Sequence, residues 1–399
     1  KKLTALVLAL CMALGLAACG GSKDTGSAAG STAAASGDTV KIGVFEPQSG
    51  DNGAGGKQEI LGVQYANSVA PTVEIGGKTY NVKLEIVDNE SSNDKAVSAA
   101  SQLVSKGVSM VLGSYGSGVS IAASDTFKNA GIPAMGITCT NPAVTAGNTH
   151  YFRACFIDSF QGPVLANYAY DNLKVKKAYC LSKLGDDYSG GLVSYFTKQF
   201  EAKGGEVVKA EFPEGNSDFT SYIANAKKEG CGVFYAPISI EAAQLVINQA
   251  ASQGLALPLL AGDTWDSNVI LEAAKGTDVE IDVTTFYADG TNKDFEQKIK
   301  DWINGDSTNL KNNGGNDTLS AVTVMGYDAY MVALEALKAA GSTDPAAVMK
   351  ALPSVSYDGI TGTISFDENG DAKVKTAYVK TVDTKTGTWV GGGSVTMDE

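Results

Sequence analysis

The chain has 399 residues, 44% of them hydrophobic and 19% charged, with 31 basic against 44 acidic side chains and a formal net charge of −13. That length exceeds one ordinary core and calls for two lobes, and the acidic balance without a basic cluster argues against nucleic acid as a partner. A single histidine, His150, and six cysteines without a C-x-x-C pair offer neither zinc-ligand spacing nor a common imidazole base.

Lys1 and Lys2 precede an apolar run from Leu3 to Leu16, too short to span a bilayer and patterned as the charged and apolar regions of a secretory signal. The run closes in Leu16-Ala17-Ala18-Cys19-Gly20, which resembles the lipobox of bacterial lipoproteins. The resemblance makes residues 1–18 a signal and Cys19 a lipidated anchor to the membrane. Gly20 to Asp38 contains no Leu, Ile, Val or aromatic residue, so 19–38 reads as a flexible tether with a reach of roughly 25 Å. The globule is expected outside the cytoplasm, where Cys139, Cys155, Cys180 and Cys231 are permitted but not required to pair.

From Val40 onward short β-rich runs alternate with longer amphipathic ones, the pattern of a parallel sheet with helices on both faces. The first series predicts strands at Val40–Phe45, Val82–Val87, Val108–Leu112 and Ile132–Ile137, and helices at Lys57–Ala70, Asn93–Lys106 and Gly118–Asn129. In the second of these helices Val97, Ala100, Leu103 and Val104 share one face. A second series follows Tyr151–Cys155. It predicts helices at Gly162–Leu173, Ser189–Lys203, Ser217–Glu229 and Glu241–Gln253, and strands at Lys177–Leu181, Glu206–Glu211, Gly232–Tyr235 and Leu257–Leu260. The alternation loosens toward two helices, Leu319–Ala340 and Pro345–Ala351. Short strands end the chain at Thr361–Phe366, Lys375–Val382 and Thr388–Val390, broken by turns at Asp367–Gly370 and Thr386-Gly387.

The fold class is therefore α/β, with two doubly wound parallel-sheet lobes of comparable size. Ligands in such folds bind outside the carboxyl ends of the strands, which puts the site in the cleft between lobes. Four strand ends carry candidate contacts. In Gly113-Ser114-Tyr115-Gly116-Ser117-Gly118, the small residues Gly116 and Gly118 admit a ligand close to backbone. Ser117 offers a hydroxyl beside the amides of a helix start, or else simply caps that helix. Thr138 and Thr140 alternate past the end of their strand and point one way, although Thr140-Asn141-Pro142 is also ordinary turn chemistry. Tyr188 follows a second-lobe strand and either reaches the cleft or lies on the surface. Asp263, beside the large plate of Trp265, pairs with an ammonium or caps the helix after it. Arg153, the only arginine, reads first as a structural fork, and His150 as a turn residue.

In order and spacing the chain resembles the leucine/isoleucine/valine-binding protein family, the type I periplasmic binding fold that serves ABC importers. The resemblance runs from Val40 to Glu399. It is carried by Lys41–Val44 with Ser49-Gly50, Gly113–Ser124, Thr138–Pro142, Phe152-Arg153 with Asp158 and Gln161–Pro163, Asp187–Leu192, and Gly262–Ser267. It implies a three-crossover hinge, with residues 39–158 and 286–373 forming one lobe and 159–285 and 374–399 the other. It further implies that Ser117, Thr138 and Thr140 hold a ligand's α-carboxylate and α-amino group, that Tyr188 closes over it, and that Asp263 receives the ammonium. Departures bear on specificity. Gly55 and Ile238 stand where relatives carry aromatic residues, and the cysteines that some relatives bridge in the first lobe have no counterparts. Glu46 puts a charge at the end of the first strand, where it selects for a polar or cationic ligand end.

The expected function is a lipid-anchored solute-binding protein, monomeric and without cofactor or metal, that closes on one α-amino acid, aliphatic by the family resemblance, and presents it to a membrane permease. The same fold binding an amide, urea or aromatic acid, or serving a sensor, is the alternative. An enzyme is not expected: a secreted hydrolase would need a nucleophile and base, and no G-x-S-x-G elbow is present.

Overall fold

In the computed structural model, which describes residues 38–374 and 376–396, the chain begins with β1 (Thr39–Glu46), buried on both faces over most of its length, as a central parallel strand must be. Helix α1 (Gly53–Val69) follows, then a hairpin of β2 (Thr72–Ile75) and β3 (Lys78–Asp88) turned at Gly76-Gly77, both in the left-handed region. Then come α2 (Asn93–Ser105), β4 (Met110–Leu112), α3 (Ser117–Asn129), β5 (Ala134–Gly136) and β6 (Tyr151–Arg153). These six strands make one sheet in the order β2-β3-β1-β4-β5-β6, parallel except for β2.

The chain crosses to a second lobe at α4 (Asp158–Asn167), which runs into a π-helical turn at Tyr168–Asn172. There β7 (Lys177–Lys183), α5 (Asp187–Ala202), β8 (Glu206–Phe212), α6 (Thr220–Lys228), β9 (Val233–Tyr235), α7 (Ile240–Ser252), β10 (Leu259–Ala261), α8 (Asn268–Ala274) and β11 (Ile281–Thr285) alternate. A return passage supplies α9 (Lys293–Asn304), α10 (Ser307–Asn312), α11 (Ala321–Ala340), α12 (Pro345–Ala351) and the hairpin β12 (Ser356–Gly359) and β13 (Gly362–Ser365). A third crossing brings β14 (Thr376–Asp383) and β15 (Thr388–Thr396) to the second sheet, whose order is β15-β14-β11-β10-β9-β7-β8.

Both sheets are thus mixed where the sequence predicts parallel ones: edge strand β2 runs antiparallel to β3, and β14 runs antiparallel to both of its neighbours, β11 and the edge strand β15. The hairpin strand β2 is too short to stand out by periodicity, and the elements between Asn268 and Asn312 lie in the loosely patterned stretch. The helix predicted at Gly162–Leu173 starts four residues earlier and ends in the π turn, and β15 extends beyond Val390.

Helices α1 and α11 pack so closely that a Cβ at Gly62 would lie 1.9 Å from the Thr323 carbonyl oxygen, and one at Gly326 2.3 Å from that of Glu59. This contact buries the inner face of α1 and carries Glu59 into the interior. Cys139, Cys155, Cys180 and Cys231 are buried free thiols. The predicted signal and the anchor Cys19 lie outside the described residues.

Candidate functional site

The carboxyl ends of β1, β3, β4 and β5 face those of β7, β9 and β10 across the interlobe cleft, and the lobes touch there. Lys183 pairs with Asp51 at 2.9 Å, Asn141 Nδ2 donates to the Asp187 carbonyl at 2.6 Å, and the Tyr115 hydroxyl donates to the Thr264 carbonyl at 3.2 Å. Between these contacts lies a small cavity of about 60 Å³, lined among others by Asn52, Tyr115, Ser117, Lys183, Tyr188 and Thr264.

Ser117 opens α3 as its first helical residue and is buried; Gly116 is the capping position, and no side chain caps the helix amides. Ser117 Oγ instead accepts the Asn141 backbone N–H at 3.3 Å, which ties the two first-lobe turns together. Gly116, Gly118 and Tyr188 also line the cavity. Thr138, Thr140 and Asp263 do not; they form a buried polar layer beneath it. Trp265 is fully buried in the second lobe's core with its indole N–H on the Ile238 carbonyl at 3.2 Å, and its neighbour Thr264 is the residue that reaches the cavity.

In the buried layer Asp263 Oδ1 accepts from Gln161 Nε2 at 2.8 Å and from the Tyr188 hydroxyl at 3.0 Å, while the Asp263 backbone N–H donates to Gln161 Oε1. Burial pushes the Asp263 carboxyl up to about 7, against the pull of those two donors. Asp158, at the start of α4, is driven by burial to about 8. Its backbone N–H donates to the Thr140 carbonyl at 2.9 Å. The Thr140 hydroxyl beside this carboxyl draws it down against burial.

On the first-lobe side, Glu46 Oε2 accepts the Tyr115 backbone N–H at 2.6 Å, and Glu59 Oε1 accepts the Thr138 hydroxyl. The remaining oxygens, Glu46 Oε1 and Glu59 Oε2, have no donor when both groups are ionised. A proton carried by Glu46 toward Glu59 resolves this. Burial first, and then the neighbouring Glu59 charge, hold Glu46 well above the usual carboxylate range, and burial lifts Glu59 to about 8. The Tyr115 ring fills the space over Gly55, where a Cβ would come within 2.5 Å of it. An aromatic side chain at position 55 is excluded for that reason.

Four side chains of this layer escape the sequence reading as ligand contacts. Glu59 is hidden because one acid on an amphipathic helix reads as solvated; Tyr115 because its turn stands out for small residues. Asp158 and Gln161 enter only through family resemblance. Arg153 is fully buried, with Nε on Asp371 at 2.5 Å, Nη1 on the Cys139 carbonyl and Nη2 on Thr145, so it pins the turn behind Thr138–Thr140. His150 sits in a turn, its ring Nδ1 beside the Thr149 hydroxyl.

Residues 39–388 match the family model described as periplasmic binding protein. The chain is 31% identical over 340 residues to Leu/Ile/Val-binding protein homolog 1 of Brucella suis biovar 1 (strain 1330), an alignment covering 84% of this chain and 88% of the relative. Among solved structures it is similar to the leucine-binding protein LivK from Thermotoga maritima, with TM-score 0.78 and 30% identity over 90% of this chain and 99% of that one. It is also similar to the branched-chain amino acid transporter substrate-binding protein LivJ from Streptococcus pneumoniae in complex with isoleucine, with TM-score 0.78 and 25% identity over 90% and 100% of the two chains.

Proposed function

Because this chain belongs to the periplasmic binding protein family, we propose that it is the extracytoplasmic solute-binding component of an ABC importer and that it takes one α-amino acid in the interlobe cleft. What supports this reading is Asp263, a buried acceptor held by Tyr188 and Gln161 on the second lobe, together with the uncapped first turn of α3 at Ser117 on the first, Ser117 and Tyr188 lining the same cavity. A zwitterion needs those two ends: an acid for the ammonium, and a hydroxyl with helix-start amides for the carboxylate.

In this mechanism the first lobe binds the amino acid through Ser117, Thr138 and Thr140, and closure brings Tyr188 and Asp263 onto it. The ligand stabilises the closed state because half of its contacts exist only there. The monomer, tethered through Cys19, then presents the closed lobes to a permease. The relatives named for leucine, isoleucine and valine support α-amino acid chemistry. The expectation of an aliphatic side chain rests on those relatives alone.

Isothermal titration calorimetry with the twenty amino acids, each backed by a thermal shift, tests the proposal. At least one should bind in the micromolar range or tighter and raise the melting temperature. No heat and no shift with any of them would overturn it.

A further inference from the structure

The layer beneath the cavity is chemically unlike a pocket for an aliphatic side chain. Glu46, Glu59, Asp158 and Asp263 are all buried, and among the described residues none of them forms an ion pair. The nearby cations are committed elsewhere: Arg153 to Asp371, Lys380 to Asp266 at 3.0 Å, and Lys183, which lines the cavity, to Asp51 and Glu214. The α-ammonium of a zwitterion answers Asp263, and its carboxylate adds one more negative charge to the cleft. Glu46 and Glu59 are left with the one proton they share and no cation.

Their position connects them to the cavity. Glu46 is held by the backbone of Tyr115, whose side chain lines the cavity, and Glu59 by the hydroxyl of Thr138. Their remaining oxygens, Oε1 of Glu46 and Oε2 of Glu59, meet no protein donor other than the proton the pair shares. Independently of the acids' own hydrogen bonds, the Tyr235 hydroxyl is fully buried without a hydrogen-bonding partner. The Tyr235 hydroxyl lies near enough to Asp158 and Asp263 to feel both charges. A buried hydroxyl without a partner, beside carboxyls that have only a shared proton and no cation, points to a ligand that supplies donors and positive charge. A methyl-tipped side chain supplies none.

Resting on the reading of the cleft as an α-amino-acid site, we propose that the ligand carries a second cationic nitrogen on its side chain, as in a basic or diamino acid, and that the Glu46–Glu59 pair receives it. A side-chain ammonium brings three donors and one positive charge to two carboxyls that otherwise share a proton. On binding, that proton leaves to solvent and the ammonium replaces it as the bridge. Specificity then comes from both directions, since an aliphatic side chain strands the pair that the cation satisfies.

The test is calorimetry on the full chain with L-lysine and L-ornithine against L-norleucine, L-leucine and L-isoleucine, in wild type, Glu46→Gln and Glu59→Gln. In wild type, lysine or ornithine should bind at least tenfold tighter than norleucine. Either substitution should narrow that ratio to threefold or less, with folding checked by the melting transition. Norleucine, leucine or isoleucine binding as tightly as both basic ligands would overturn this inference while leaving the amino-acid reading in place. A preference for the basic ligands that both variants leave intact would overturn the assignment to this pair. Binding of no amino acid would overturn the reading on which the inference rests. The wild-type ratio decides even where a variant does not fold.

Discussion

Tyr188 donates its phenol to the same Asp263 oxygen, Oδ1, that accepts the Gln161 amide, so one buried carboxylate joins the ends of α5, α4 and β10. Removing the acid removes both the ammonium's partner and the acceptor for two donors. Asp263→Ala is expected to weaken amino-acid binding by more than tenfold, and Tyr188→Phe, which deletes one hydrogen bond worth about 1 kcal/mol, by roughly fivefold. Titration calorimetry on the two variants checks both figures.

Lys183 on the second lobe reaches Asp51 on the first and also Glu214. The groups are partly exposed, so the pair is worth at most about 1 kcal/mol, and its contribution falls on the closed state alone. Lys183→Met should raise the apparent dissociation constant about two- to fivefold, and 0.5 M salt should erase most of the difference from wild type. Small-angle scattering without ligand should show a larger radius of gyration for the variant.

The buried acids set a pH dependence of stability. Folding raises Glu59 to about 8, Asp158 to about 8 and Asp263 to about 7, from ordinary values of 4.5 for the glutamate and 3.8 for the aspartates. Across the interval between the ordinary and folded values the folded chain binds more protons than the unfolded one, so stability falls as pH rises. The ligand-free melting temperature should therefore decline from pH 5 to pH 8.5, and Glu59→Gln should flatten that decline. A melting temperature that climbs over the same range would contradict the burial of these carboxyls.

Arg153 is spent on structure. Its guanidinium is fully buried among Asp371, Thr145 and the Cys139 carbonyl. Arg153→Ala leaves that set unpaired and should cost about 3 kcal/mol in urea unfolding. Arg153→Lys should recover only part of it, because the ammonium cannot serve the planar fork.

Much of this arrangement is legible in the sequence because the βα alternation places turns by chemistry as well as by count. Gly113–Gly118, Thr138–Pro142, Gly185–Ser189 and Gly262–Asp266 each stand between an apolar strand and a helix start, and the structure gathers all four at the interlobe cleft. What stays hidden depends on contacts distant in the chain. Glu59 becomes an interior acid only because α11, more than 260 residues later, closes over α1 through Gly62 and Gly326. Trp265 and Thr264 are indistinguishable as candidates until the short 3₁₀ turn at Asp263–Trp265 sends one to the cavity and the other to the core. The antiparallel edge strand β2 is missed because four residues carry too few alternations to stand out, whereas β14 and β15 are legible as strands around the Thr386-Gly387 turn.

The placement of the amino acid is tested most directly by a crystal structure grown with whichever of the twenty binds most tightly in calorimetry. The ligand ammonium should lie about 3 Å from the Asp263 carboxylate, with the ligand carboxylate against Ser117 and the first turn of α3. A ligand lodged outside the interlobe cleft, or one inside it whose ammonium makes no contact with Asp263, would contradict the account.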